Sequence, residues 1–253
     1  MPSLKGKVAV VTGASTKLGI GEAIALCYAK AGGTLFLVAD RTQEDLDRVS
    51  AACREAGAEQ VKPLVLDLGL PGAPEEMVSR ALAAFGRVDV LVNNAGIRSS
   101  FDFGDYTREQ FDRSIAVNIG AAFFASQAVV PAMREQGGGR IINIASQLAQ
   151  VAFTQRALYG LTKAALVHLT KSKAYELTRH NIMVNAISPG PIATQPTLDR
   201  DPALVRERLD RYVPARRLGQ PEEIGEVALY LATDCPTYVQ GHDLVVDGGY
   251  VLH

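Results

Sequence analysis

The sequence predicts an α/β fold, a doubly wound parallel sheet of about seven strands. Three observations carry this: short runs apolar at every position, helix-length amphipathic segments alternating with them, and Gly, Pro or Asn at most of the joints. A run apolar throughout suits a strand covered on both faces, and strict strand–helix alternation supplies the covering helices. Val8–Val11 opens the series; a glycine-bearing turn follows, then a helix over Glu22–Ala31 that stops at Gly32-Gly33. Leu35–Ala39 is the second strand, and Glu44–Ala56, with apolar residues three and four apart, the second helix. Val61–Leu66 precedes a helix at Glu75–Phe85, ended by Gly86. Val88–Val92 is the fourth strand, and Arg108–Arg134 reads as one long helix before Gly137-Gly138-Gly139. Arg140–Ala145, the helix Leu158–Thr178 and the strand Met183–Ile187 follow, closed by Pro189-Gly190-Pro191. A helix over Glu222–Thr233 and a last strand, Leu244–Val246, complete the alternation. With no internal repeat or linker, residues 1–253 read as a single domain. The irregular stretch 191–218 is rich in Arg, Pro and Asp, and its run Arg206–Arg217 reads as the polar face of a lid helix.

Composition excludes several function classes. Hydrophobic residues make up 47% of the chain and charged residues 21%, an ordinary globular balance. Twenty-six Lys and Arg nearly cancel 27 Asp and Glu, so no global field selects nucleic acid or an anionic membrane. Cys27, Cys53 and Cys235 are odd in number and lack Cys-x-x-Cys spacing, which argues against a disulfide framework or zinc site and for a reducing, cytoplasmic setting. The strand pattern starts too early for a signal peptide, and no apolar run reaches the ~18 residues of a membrane helix. His168, His180, His242 and His253 fall in no ligand spacing, so no metal is expected.

Three motifs carry chemistry. Thr12–Gly21 joins the first strand to the first helix and contains Gly13, Ser15, Gly19 and Ile20. A pyrophosphate there would meet backbone N–H groups and a helix N-terminus, and glycine leaves room for it. Asp40 ends the second strand, where a carboxylate takes both adenosine ribose hydroxyls and repels a 2′-phosphate; the bland alternative is a helix cap. Ser146 leaves the end of the fifth strand, thirteen residues before Tyr159, and Lys163 follows Tyr159 by four. Tyr and Lys at that spacing share a helix face, and a nearby cation favours phenolate, which can exchange a proton with an alcohol or carbonyl. In isolation, a Tyr-x-x-x-Lys match is usually a surface pair.

Taken together, Thr12–Gly21, Asn93-Asn94-Ala95-Gly96, Asn118, Ser146, Tyr159/Lys163, Pro189-Gly190 and Asp247-Gly248-Gly249 resemble the short-chain dehydrogenase/reductase family across essentially the whole chain. The resemblance implies a Rossmann-like sheet of order 3-2-1-4-5-6-7, a nicotinamide cofactor and a homotetramer. It implies a catalytic tetrad of Asn118, Ser146, Tyr159 and Lys163: Tyr159 as acid/base, Lys163 as its electrostatic partner and a ribose ligand, Ser146 as carbonyl-oxygen donor, Asn118 as anchor of a water linking Lys163 to solvent. It sets Asn94, Ala95 and Gly96 beside the adenosine ribose, Asp67 and Leu68 beside the adenine, and Pro189, Gly190, Ile192 and Thr194 beside the nicotinamide. One departure is visible: five residues, not three, separate Gly13 from Gly19, which leaves the pairing of amides with phosphates open. Lys17 and Arg41 keep NADP in view, while Asp40 favours NAD.

The expected reaction is therefore hydride transfer between a nicotinamide and a secondary alcohol or ketone, such as a sugar, polyol or anionic hydroxy compound (a sugar acid or sulfo-sugar). The alternatives are a 3-oxoacyl-thioester reductase of the same family and, in a different class, a non-catalytic NAD(P)-binding redox sensor or scaffold. Arg156, three residues before Tyr159, and Arg200 and Arg211 on the lid are candidates for holding a substrate anion; the competing reading of Arg156 is a surface arginine paired with an acid. Phe101, Phe103 and Tyr106 wall the pocket or pack in the core, and Met133 and Met183 are core.

Overall fold

Each predicted strand forms, and all seven join one parallel sheet. The computed structural model describes residues 2–252, so Met1 and His253 lie outside it. The strands are β1 (Val8–Thr12), β2 (Thr34–Ala39), β3 (Gln60–Val65), β4 (Val90–Asn93), β5 (Gly139–Ile144), β6 (Ile182–Pro189) and β7 (Asp243–Val246). Their order is β3-β2-β1-β4-β5-β6-β7, the expected Rossmann-like arrangement. The helices are α1 (Ile20–Lys30), α2 (Gln43–Glu55), α3 (Ala73–Phe85), α4 (Arg108–Ile115), α5 (Ala121–Glu135), α6 (Ala157–Leu177), α7 (Gln195–Leu198), α8 (Pro202–Tyr212) and α9 (Pro221–Ala232).

The period-2 geometry of a strand divides the apolar runs between two cores. Ala9, Val11, Leu35, Leu37, Val90 and Val92 face one side, with Ile24 and Tyr28 of α1, Leu46 of α2 and Ile224 of α9. Val10, Phe36, Val38, Leu91 and Ile141 face the other, with Met77 of α3, Val129 and Met133 of α5 and Ala174 of α6. Every residue of β1, β2 and β6 is buried, which is why these segments carry no polar alternation. Met133 and Met183 are core, as expected.

Two boundaries differ from the pattern. The run 108–134 is not one uninterrupted helix: a π turn, Ala116–Gly120, separates α4 from α5. Asn118 sits in that turn and bonds outside the helix, as described below; such bulges gather at functional sites. By length and composition alone, Arg108–Glu135 is long and apolar enough to cross a membrane, but here Val129 and Met133 lie against the sheet. The fourth strand begins at Val90 and not at Val88, and Asp89, just before it, is bonded through both backbone and side chain. Its carboxylate accepts from Val8 N (2.9 Å), Lys7 Nζ (3.2 Å) and Arg87 Nε and Nη2 (2.8 and 2.6 Å). The irregular stretch 191–218 contains α7 and α8, and Leu209 and Val213 close on Tyr250 in a small third core.

Burial alone would raise the Asp89 carboxyl, but these donors hold it below the usual carboxylate range. A depressed native pKa contributes stability that is present above the unfolded value near 3.9 and lost as pH falls through the native one. Asp89→Asn is therefore expected to lower stability by about 1.5–3 kcal/mol at neutral pH, in urea midpoints, and to flatten the loss of stability below about pH 4.

Candidate active site

The strand order reverses between β1 and β4, and ligands of open α/β sheets bind beyond the carboxyl ends of strands at such a point. Thr12 ends β1 and Asn94 follows β4 directly. Thr12 Oγ1 donates to Val92 O (3.2 Å) and accepts from Asn94 N and Ala95 N (both 2.9 Å). Asn94 Nδ2 donates in return to Thr12 O (2.7 Å) and Gly13 O (3.1 Å). These bonds draw the two loops so close that no side chain fits. A Cβ on Gly21 would lie 2.3 Å from Gly13 O and 2.6 Å from Asn94 Nδ2; Gly13 also holds φ +66°.

The lengthened loop finds its amide acceptors within the protein. Gly13 N and Ala14 N donate to Val38 O, Gly19 N to Thr16 O and Leu18 N to Glu22 Oε2 (2.7 Å). Leu18 adopts φ +53°, and Glu22 is itself fixed by Arg48, which also reaches Ser15 O. Among the described residues, the amides of Ser15, Thr16, Ile20 and Gly21 have no such acceptor, and all four residues line one cleft. That arrangement fits a pyrophosphate at the start of α1.

The same cleft is lined by Gly13, Gly19, Asp40, Arg41, Asp67, Leu68, Asn94, Ala95, Gly96 and Thr194, which sequence reasoning assigned to a cofactor. Asp40 is exposed at the end of β2 and is not the helix cap: Thr42 caps α2, accepting from Asp45 N (3.2 Å). Asp67 is tied to Arg113 Nη2 and Gly69 N (both 2.9 Å). Burial raises its carboxyl, and these two donors together bring it below the usual range. Lys17 does not line the cleft.

A second cleft continues from Ile20, Asn94, Gly96 and Thr194 to Ser146, Tyr159, Lys163, Pro189, Gly190 and Ile192. Lys163 is buried and donates to Ile144 O (2.8 Å), with Nζ 5.7 Å from the Tyr159 ring centre. Burial brings its ammonium down to about 8. Asn118 Oδ1 accepts from Ile97 N (2.8 Å), and its Nδ2 donates to Ile97 O and Thr162 Oγ1 (both 3.0 Å). The π turn thereby ties the loop after Gly96 to α6, one residue from Lys163. Burial pushes the Tyr159 phenol upward, and Arg98, the Ser146 hydroxyl and Arg156 pull it back, in that order.

Arg156 is 8% exposed, and its Nη1 donates to Ser99 O (2.8 Å) with no acid beside it, so it is not a surface ion pair. Arg200 lines the cleft, but Arg211 does not: it stacks on Tyr212 at 5.1 Å while Arg208 takes its expected place. The helix period explains this, since α8 buries Leu209 and turns Arg208 toward the cleft beside Val205. Sequence reasoning missed Arg98, Arg208 and Gln147, although Arg98 stands two residues after Gly96 and Gln147 directly after Ser146. Phe101 and Tyr106 pack edge to face on the outside, and Phe103 is 85% exposed, so none is core or wall of this cleft. Among the described residues, no cluster could hold a metal ion; His253 lies outside them.

A family model described as enoyl-(acyl carrier protein) reductase matches residues 13–251. The chain is 38% identical to 2-dehydro-3-deoxy-D-gluconate 5-dehydrogenase of Dickeya dadantii, over 98% of this chain and 97% of that protein. The chain belongs to the short-chain dehydrogenase/reductase family. It is also 37% identical to the 3-oxoacyl-[acyl-carrier-protein] reductase of Thermotoga maritima, over 98% and 99% of the two chains. The structure of L-sorbose reductase from Gluconobacter frateurii with NADPH and L-sorbose superposes with TM-score 0.93 at 32% identity, covering 100% of both chains. As a short-chain dehydrogenase/reductase, this chain is an NAD(P)-dependent oxidoreductase acting on a small molecule.

The loop lock makes a direct prediction. Thr12→Val keeps side-chain volume but leaves the amides of Asn94 and Ala95 without their acceptor. Stability should fall by about 1–3 kcal/mol in urea midpoints. NADH affinity, followed by nicotinamide fluorescence, should fall with it.

Proposed function

We propose that this chain is an NAD-preferring dehydrogenase of sugar- or polyol-type secondary alcohols, with Ser146, Tyr159 and Lys163 as its catalytic residues and Asn118 completing the tetrad as the residue that positions them. The observation that carries the reading is a pair of adjoining clefts that share Ile20, Asn94, Gly96 and Thr194, one with free amides at the start of α1 and Asp40, the other with Tyr159. The amides of Ser15, Thr16, Ile20 and Gly21 would hold the pyrophosphate, Asp40 the adenosine ribose, and Lys163 the nicotinamide ribose. When bound, the nicotinamide supplies the hydride acceptor.

The chain's own residues manage the proton. Tyr159, as the phenolate, would take it from the substrate hydroxyl, and Ser146 would donate a hydrogen bond to the oxygen as it becomes a carbonyl. Lys163, buried and bonded to Ile144 O, holds positive charge beneath the phenol ring. Asn118 is a positioning residue: it fixes Ile97 and Thr162, and through them the loop and helix that flank Lys163. The segment 191–218, with α7 and α8, forms the lid of a single catalytic domain.

The sugar-acid and sugar relatives support a polyhydroxy substrate, beside a 3-oxoacyl-[acyl-carrier-protein] reductase of similar identity. A polar substrate is also supported by buried Gln147, which lines the cleft with its Oε1 lacking a partner among the described residues. We further infer a cytoplasmic homotetramer; the free thiols of Cys27, Cys53 and Cys235 suit a reducing compartment, and exposed Phe123, Phe124 and Leu161 offer apolar surface to a partner subunit.

Two substitutions test the assignment on any panel alcohol that the wild type oxidises. Tyr159→Phe should retain NADH affinity yet lose about 10²–10⁴-fold in kcat; near-native turnover would remove Tyr159 from its role. Asp40→Ala should narrow the ratio of kcat/KM for NAD over NADP. A wild-type preference for NADP would overturn the cofactor choice.

A further inference from the structure

Four guanidinium groups converge on the substrate end of the cleft with no acid among them. Arg98, Arg156, Arg200 and Arg208 all line the space that contains Ser146, Gln147 and Tyr159, and none makes an ion pair among the described residues. Each guanidinium carries five N–H donors and cannot lose its charge in a protein. Among the described residues, only Ser99 O accepts from any of the four, and it meets Arg156 Nη1. The Nε of Arg208 is buried without a partner, while its guanidinium stacks 4.1 Å from the Phe153 ring centre. Burial and mutual repulsion draw both Arg98 and Arg156 below the ordinary arginine range, with Arg200 and Arg208 acting on each.

Such an arrangement is costly for the unliganded fold. Arg156 is buried and Arg208 half-buried without a counter-ion, which destabilises, and with the exposed Arg98 and Arg200 they bring four like charges that repel into one cleft. Their positions are nevertheless built by separate elements: Arg98 by the loop after β4, Arg156 by the first residue before α6, Arg200 by the turn between α7 and α8, and Arg208 by α8. Arg156 in particular is held in place by a backbone acceptor and not by a carboxylate, which leaves its charge free for something else. The cofactor's phosphates have their own amides at the start of α1, in the other cleft.

We propose that Arg98, Arg156, Arg200 and Arg208 form an anion subsite that receives the carboxylate, sulfonate or phosphate of the substrate, whose secondary alcohol lies against Tyr159. This rests on the dehydrogenase reading and names the substrate class within it: a small polyhydroxy compound with a terminal anion. Planar forks suit all three oxyanions, and several around one group supply both charge and orientation. Because Arg200 and Arg208 belong to the lid, the anion also gives the lid something to close on.

The experiment pairs each anion with its neutral counterpart: D-gluconate with D-glucitol, glucose 6-phosphate with glucose, and 6-deoxy-6-sulfo-D-glucose with 6-deoxy-D-glucose. NADH formation is followed with NAD present, and calorimetry measures binding of each charged sugar to the NADH-loaded protein. At least one anion should exceed its counterpart roughly ten- to hundredfold in kcat/KM. Arg156→Gln and Arg208→Gln should each shrink that ratio, mainly through KM, without changing the KM for NAD. The identity of the preferred pair distinguishes carboxylate, phosphate and sulfonate. Equal or better use of the neutral member in every pair overturns the subsite while leaving the dehydrogenase in place. Binding of an anion that depends on Arg156 and Arg208, without oxidation of any sugar, supports the subsite and counts against the reaction. No calorimetric binding of any anion overturns it outright.

Discussion

At the point where the sheet reverses direction, the ends of β1 and β4 must lie side by side while the backbone of α1 passes directly over them. Thr12 and Asn94 satisfy this with a reciprocal set of bonds, each side chain serving the other's backbone. The closeness they impose is what excludes a side chain at Gly21 and forces φ +66° at Gly13. Two consequences follow. The first helix starts with its amides facing an open groove, and the loop after β4 leaves in a fixed direction toward Gly96, Arg98 and α6. Without the lock, neither end of the groove would be positioned.

The second half of the groove depends on polar groups held by backbone acceptors. Lys163 is anchored by Ile144 O, Arg156 by Ser99 O, and Asn118 clamps Ile97 through both of its amide atoms. Carboxylates are absent from these anchors, so the positive charge of the cleft is not cancelled locally. A phenol lifted by burial and drawn back by Arg98 sits in the middle of it. The same field that draws the phenol back also suits the anionic substrate proposed above, and the two effects therefore share one cause.

Much of this was legible in the sequence, because buried parallel strands leave an unmistakable apolar pattern and the motif residues fall at strand ends. Ser146, Tyr159, Lys163 and the Gly13–Gly21 turn were readable because their chemistry depends on local spacing. What stayed hidden depends on long-range partners. The π turn at Asn118 has no local signature, and the partners of the Asn118 side chain, Ile97 and Thr162, are distant in sequence. Arg98 and Arg208 looked like ordinary polar residues until the loop and α8 were brought to the same cleft, and Arg211 was preferred to Arg208 because the phase of α8 was unknown without Leu209 as its buried position. The longer glycine loop was visible, but its acceptors, Val38 O and Glu22, belong to the fold.

The account stands most directly on whether the lock between β1 and β4 creates a cradle for NAD, which needs no knowledge of the substrate. Titration of the wild-type protein with NADH, followed by nicotinamide fluorescence, measures this. The account predicts saturable binding of one NADH per chain, tighter than NADPH under the same conditions; absence of saturable binding, or tighter binding of NADPH, would contradict it.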